Sequence, residues 1–187
     1  MRPSRALAAI WFGAVLLALV ARASAGSFRV VVWKQRHVLE VLNADKVIRR
    51  YPISLGISPV GRKEARGDGK TPVGRYTVYE KRPSDRFRWF LALNYPDSDD
   101  ADRAFEAGRI SAGTWADIWI ADRTGQTPPW DTPLGAFVGI HGTGADARKA
   151  RLRLASDWTD GCIAVSDHDI EELYALIPVG TAVEIRE

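Results

Sequence analysis

The chain has 187 residues, of which 26 are Lys or Arg, 23 are Asp or Glu, three are His and one is Cys, for a formal net charge of +3. Three of the basic residues precede residue 26, where no acidic residue occurs, so the remainder has equal numbers of basic and acidic side chains. This balance removes the main compositional support for nucleic-acid binding. The remaining length of about 160 residues suffices for one domain with a proper core.

The beginning of the chain has the layout of a signal peptide. A basic start is followed by an uncharged, strongly apolar stretch over residues 6–21 and by the small-x-small sequence Ala23-Ser24-Ala25. Because a membrane span needs about 20 apolar residues, this stretch is short for a permanent anchor. We expect a signal peptide over residues 1–25 and an exported domain over 26–187, in the periplasm or facing the cell wall. Membrane contact is expected only through the signal segment, if it stays uncleaved.

Short β-strands dominate the first half of the expected domain. Five strands are predicted, over residues 28–33, 38–42, 47–54, 74–79 and 90–93. They are rich in β-branched or alternating apolar residues and are separated by turn residues. Short strands with tight turns favour antiparallel meanders over βαβ units.

A segment at about residues 96–133 interrupts the β pattern. It predicts two helices, over 99–107 and 112–123, with glycines placed where each should stop. The second helix has Trp115 and Trp119 on one apolar face. We interpret this insertion as a helical flap near the functional site.

The chain then returns to strands. Its pattern predicts strands over 136–141, 161–165 and 181–185, a basic loop or irregular helix over 148–158, and a helix capped by Ser166. The sum is a mostly-β domain with small helices.

Several residues resemble functional motifs without supporting them. Gly69-Lys70-Thr71 suggests a phosphate-binding loop, but that motif needs a glycine where Glu64 stands, and Pro72 disfavours the required helix. We interpret the segment as a flexible, glycine-rich loop. His37 lies in a predicted turn and His168 in the first turn of the last helix, so both are interpreted as solvated. No His/Cys cluster has metal-ligand spacing, and we expect neither a metal nor an organic cofactor.

Cys162 is the only cysteine, so it cannot form an internal disulfide. Glycines stand beside it and beside His141, and glycine lets backbone approach a ligand closely. The other interpretation, a buried structural cysteine beside a buried histidine, is open because free cysteine often serves as a small core residue. An idle thiol is a liability in an oxidising compartment, which favours a reactive Cys–His pair.

Such a pair is suited to nucleophilic catalysis. A free thiol is mostly protonated at neutral pH, and a neighbouring imidazole can take its proton. The thiolate attacks an amide carbonyl, and the imidazolium then protonates the leaving amine. We predict that the backbone amides of Gly161 and Cys162 donate to the developing oxyanion.

These residues resemble a known family. Ile140-His141-Gly142, followed after a spacer by Thr159-Asp160-Gly161-Cys162-Ile163, is similar to the L,D-transpeptidase catalytic domain (YkuD-like) family, as is Thr71-Pro72-Val73-Gly74. Asp160 stands where the family motif has histidine. That feature and the long insertion are most similar to the YafK-like branch. The resemblance covers essentially residues 28–185.

The resemblance implies a β-sandwich-like domain that acts on peptidoglycan stem peptides. Cys162 would attack the carbonyl of a meso-diaminopimelate residue and form a thioester. An amine or a wall-attached protein would then accept the acyl group, or water would hydrolyse it. The carbonyl of Gly142 corresponds to a third catalytic element of the family, and Thr159 and Asp160 would contact substrate.

Three functions remain open from the sequence. The first is an L,D-transpeptidase, which the flap favours slightly because it could exclude water. The second is a hydrolase on the same scaffold, an L,D-carboxypeptidase or amidase that cuts stem peptides or releases attached proteins. The third is a wall-binding module that merely keeps a thiol. A papain-like peptidase is weaker, because in such families the cysteine precedes the histidine.

Overall fold

The computed structural model describes residues 28–187, so the expected signal peptide lies outside the described residues. No helix in this described part is long and apolar enough to cross a membrane. Eight strands and four helices follow in the order β1 Phe28–Trp33, β2 Val38–Asn43, β3 Lys46–Pro52, β4 Gly74–Ser84, β5 Arg88–Leu93, α1 Ser98–Glu106, α2 Ala112–Thr124, β6 Gly139–His141, α3 Ala147–Leu154, β7 Ile163–Ala164, α4 Asp167–Leu176 and β8 Ala182–Arg186.

All eight strands form one sheet in the order β3-β2-β1-β8-β4-β5-β6-β7. The predicted antiparallel meanders are confirmed for β1 to β3 and for β4 to β6. Two neighbouring pairs are parallel instead, β1 with β8 and β6 with β7. The second of these pairs carries the candidate site.

The sheet curls until its two ends meet. Just after β3, Ser54 pairs with Ala164 of β7 through two backbone hydrogen bonds of 2.8 Å. Two residues later, Gly56 forms a further bridge to Thr159. The mostly-β fold with small helices is therefore confirmed, and its strands surround a single core.

The core is built from the inward side chains of the strands and one face of α4. The strand residues Val30, Leu39, Val78, Leu91 and Ile140 are completely buried, as are Ile170 and Leu173 of α4. β-branched and aliphatic side chains pack well on a pleated surface, and burying each one stabilises the fold by about 1.5–3 kcal/mol. The strands next to the candidate site are thereby held rigidly.

The helical insertion folds as its end signals predict. Ser111 caps α2 by accepting a hydrogen bond from Thr114 N–H, and Gly125 ends it in the left-handed conformation at φ 66°. α1 contacts β4 where Tyr76 Oη donates to Asp100 at 3.0 Å. α2 is linked to the same strand through Asn94, which accepts from Thr77 N–H at 2.6 Å and donates to Asp122 at 2.8 Å. The side that α1 and α2 cover is therefore set by polar contacts to β4 and its neighbours.

The segment between β3 and β4 is a loop, but it is fixed rather than flexible. The Asp68 carboxylate accepts hydrogen bonds from the backbone N–H groups of Glu64, Ala65 and Lys70 and from the Lys63 ammonium. Burial opposes ionisation of Asp68, but these four donors together lower the pKa of its carboxyl. The glycine-rich sequence thus marks a tight turn around one carboxylate, which corrects the interpretation as a mobile loop.

Candidate active site

Two neighbouring strands bring His141 and Cys162 together. His141 is the last residue of β6, and Cys162 immediately precedes β7. The strands are parallel, with Ile140 opposite Ile163 and His141 opposite Ala164. The spacer of 20 residues contains α3, which crosses between the strands and returns the chain beside the histidine.

Both side chains open on one cavity of about 280 Å³. Its wall consists of residues 86–87, 136–138 and 158–160 together with His141 and Cys162. The cavity therefore unites four predicted site residues: His141, Cys162, Thr159 and Asp160. The other two predicted residues, Gly142 and Gly161, are their chain neighbours.

His141 is buried, with 2% of its surface exposed. Its Nδ1 lies 2.7 Å from the Gly142 carbonyl oxygen, so the tautomer that satisfies this contact has the proton on Nδ1. Nε2 is then the unprotonated nitrogen, as a general base requires. Phe87 stacks on the imidazole with ring centroids 4.3 Å apart, and Trp158 meets it edge-on at 5.8 Å.

The surroundings of His141 favour its neutral form. Burial is the main cause, and the charges of Arg153 and Arg86 add to it, so that the pKa falls to about 4 in spite of the hydrogen bond to Gly142. The imidazole is consequently ready to accept a proton throughout the neutral range.

This depressed pKa predicts acid sensitivity of the fold. An unfolded histidine titrates near 6.5, so between pH 6.5 and 4 the unfolded chain binds a proton that the folded protein excludes. The stability contributed by neutral His141 is complete above pH 6.5 and is lost as the pH falls, by about 3 kcal/mol at pH 4. Urea denaturation of wild type and His141→Gln at pH 7.5 and pH 4 measures this: the variant should lose about 3 kcal/mol less. Equal losses in the two proteins would contradict it.

Cys162 is half-buried, and its Sγ lies 3.4 Å from the Phe137 carbonyl oxygen. Burial raises the pKa of the thiol to about 11; a hydrogen bond from Gly139 N–H opposes this rise, the charge of Asp160 adds to it, and the charge of Lys63 opposes it. In the empty site the pair is therefore a neutral thiol and a neutral imidazole.

A short turn places the thiol at the mouth of β7. Thr159 Oγ1 donates to the Cys162 carbonyl at 2.7 Å and accepts from Gly161 N–H at 3.1 Å. Gly161 has φ 136°, and a Cβ there would lie 2.6 Å from the Lys70 carbonyl oxygen. The Thr159 hydroxyl and the Gly161 amide thus already bond each other. The predicted roles of Thr159 in substrate binding and of Gly161 in the oxyanion hole require that bond to open or to be shared.

Asp160 is exposed at the cavity wall, and the described residues offer it no ion pair. Of the arginines upstream, Arg153 is turned elsewhere: its guanidinium donates to the Thr143 carbonyl and lies 4.5 Å from the Trp158 ring centroid. A free carboxylate beside the thiol disfavours the thiolate, but it can pair with a cationic substrate. The predicted contact of Asp160 with substrate remains a prediction with this geometry in its favour.

The expectation that the helical insertion covers the site is wrong. The cavity wall contains no residue of α1 or α2. Trp115 of α2 instead donates from Nε1 to Asp102 of α1 at 2.6 Å, and Trp119 packs beside Trp115. The tryptophans therefore serve the contact between the two helices, and the Ala136–Val138 stretch further along the chain borders the thiol.

Three aromatic residues at the site escaped the sequence analysis. Phe87 sits in the turn between β4 and β5, where nothing in its neighbourhood signals function. Phe137 has φ 57°, which no local pattern predicts, and offers its carbonyl to the thiol. Trp158 gave the clearest signal, since it lies four residues before Cys162 in a polar segment.

Comparison with known proteins identifies the family of the domain. A model of the L,D-transpeptidase catalytic domain family (YkuD) matches residues 27–185. The chain belongs to this family. The closer likeness to the YafK-like branch stays a prediction. A comparison with curated proteins gives no match.

Solved structures show the same fold at low identity. The helical cell shape determining protein Pgp2 from Campylobacter jejuni is 22% identical, with a TM-score of 0.54 over 87% of this chain and 48% of Pgp2. Bd1075 from Bdellovibrio bacteriovorus is 19% identical, with a TM-score of 0.53 over 86% of this chain and 48% of Bd1075. The YkuD chain described here thus spans about half the length of these two proteins.

Proposed function

We propose that this YkuD domain is an exported L,D-transpeptidase that acts on peptidoglycan stem peptides through a thioester on Cys162. One observation carries the proposal: in a chain of this family, the only thiol and a buried, neutral histidine line the same cavity. The proposed location is the periplasm or the cell-wall-facing side, in keeping with the signal-like residues 1–25.

The proposed reaction begins when a stem-peptide carbonyl binds against Cys162. His141 Nε2 takes the thiol proton as sulfur attacks, and the Gly142 carbonyl stabilises the imidazolium through Nδ1–H. The oxyanion is held by backbone N–H groups, for which the Cys162 amide is the first candidate. Collapse expels the leaving amine, which receives the proton from His141, and leaves the thioester.

Transfer and hydrolysis diverge at the thioester. An amine acceptor gives a cross-link or protein attachment, whereas water gives a free carboxylate. The position of α1 and α2 supports hydrolysis as the second candidate reaction. The insertion that was expected to exclude water does not cover the cavity, so water can reach the thioester. A stem-peptide hydrolase is therefore the alternative function.

The experiment is an incubation of the purified protein with tetrapeptide muropeptides, with and without an excess of amine acceptor, followed by mass spectrometry. Transpeptidation predicts an acceptor-linked product and a transient protein adduct whose mass fits loss of the fourth residue. Accumulation of tripeptide alone, whatever the acceptor concentration, would establish the hydrolase. A protein that forms neither product nor adduct would leave the wall-binding module as the remaining function.

A further inference from the structure

A buried lysine lies behind the turn that carries Cys162, and no step of the proposed reaction uses it. Lys63 is 5% exposed and belongs to the fixed loop between β3 and β4. Its Cδ lies 3.7 Å from the position that a Cβ on Gly161 would take, and its Cε lies 3.6 Å from the same position on Gly135. The aliphatic stem therefore runs through space that two glycines leave open, directly beside the catalytic turn.

The ammonium at the end of this stem is held in place. Nζ donates to Asp68 Oδ1 at 2.7 Å and to the Ala65 carbonyl at 3.0 Å. The same Asp68 carboxylate also accepts three backbone N–H groups. The negative charge of Asp68 is thus shared among four donors and neutralises the Lys63 ammonium only in part. The remaining positive charge acts on the other groups nearby.

The charged and titratable groups around the thiol are few. His141 and Arg86 share its cavity on one side, and Asp160 stands two residues before it in the chain. Lys63 lies outside the cavity wall with its stem beside Gly161, and its charge favours the thiolate while that of Asp160 opposes it. Asp160 is exposed and water screens it, whereas Lys63 is buried and acts through protein.

We propose that Lys63 is a positioning residue for the reaction, held by Asp68 behind Gly161 so that its positive charge stabilises the Cys162 thiolate as it forms. This role also gives a purpose to the loop around Gly69-Lys70-Thr71, which resembles a phosphate-binding loop without being one. This role of Lys63 rests on one part of the proposed function, namely that Cys162 is the nucleophile.

The test measures alkylation of Cys162 by iodoacetamide between pH 7.0 and 8.5, a reaction that needs no substrate. Lys63→Met keeps an apolar stem and removes the charge; its alkylation rate should fall about 3–10-fold, as expected for a thiol pKa raised by about 0.5–1 unit. Lys63→Arg should restore most of the rate. Lys34→Met is the matched control, because Lys34 is equally buried, bonds a backbone carbonyl and a carboxylate, and should leave the rate unchanged.

Asp68→Asn separates electrostatics from structural damage. It breaks the same ion pair as Lys63→Met but leaves the cation less neutralised, so alkylation should become faster than in wild type. Opposite shifts in the two variants support the proposal. Shifts in the same direction, or an unchanged rate in folded Lys63→Met, would overturn it. Because alkylation is independent of turnover, a protein inactive on muropeptides could still show the opposite shifts, and the two proposals can fail separately.

Discussion

Replacing Cys162 by Ala is expected to abolish turnover of stem peptides, with a loss of at least about 10⁴-fold. The loss follows because, in the proposed reaction, the sulfur forms the covalent intermediate, and removal of the nucleophile from a cooperating pair costs about as much as removal of the whole pair. The fold should be unaffected within about 1 kcal/mol, since the half-buried thiol donates only one weak hydrogen bond, to Phe137 O at 3.4 Å.

The measurements are product formation by mass spectrometry and urea denaturation of the same preparation. Cys162→Ser serves as the second variant, because it replaces the thiol by a hydroxyl of similar shape. The hydroxyl is the poorer nucleophile when a neutral imidazole has to accept its proton. Retained turnover in a stably folded Cys162→Ala protein would rule out the covalent mechanism. The muropeptide adduct seen with wild type should likewise be missing from this variant.

Gly161→Ala is expected to damage both the fold and the site. A Cβ at this position would lie 2.6 Å from the Lys70 carbonyl oxygen, and φ is 136°, where side chains are strained. Backbone cannot yield as a flexible side chain can, so the free energy of unfolding should fall by roughly 3 kcal/mol. Turnover should fall further than stability alone explains, because the turn bearing Cys162 must move away from the loop.

Gly180→Ala is the matched control for backbone strain. Gly180 also has positive φ, at 90°, but nothing lies within 4 Å of its Cβ position. It should lose only about 1 kcal/mol and keep full activity. If urea denaturation gave equal losses for the two variants, close packing of the loop on the catalytic turn would play no part.

Local sequence signals predicted the elements of this protein more successfully than their arrangement. Ser111 and Gly125 bound α2 as expected, because capping depends on residues within one turn of the helix. The parallel pairing of β6 with β7 has no such local signature, since it joins strands across α3. The same limitation affected the insertion: the apolar face of α2 was evident, but whether it would meet the site or α1 depends on distant partners.

The same distinction between local and distant contacts separates the site residues that could be predicted from those that could not. His141 and Cys162 could be predicted because glycines and family-like neighbours surround them in the chain. Lys63 and Phe87 could not, because both come from segments far away in sequence, one with its stem beside Gly161 and the other stacked on His141. The prediction of a helical flap over the site was wrong for the opposite reason: the insertion is close to the His141 motif in sequence but does not line the cavity.

The place of β8 in the sheet has a consequence for how the protein forms. This strand follows the other seven in sequence, yet it lies between β1 and β4 and joins the two halves of the sheet. Until residues 182–186 leave the ribosome, β1 and β4 each lack the neighbour that closes the core. Joining the two halves of the sheet therefore depends on contacts between residues far apart in sequence, which favours slow folding over stepwise collapse during synthesis.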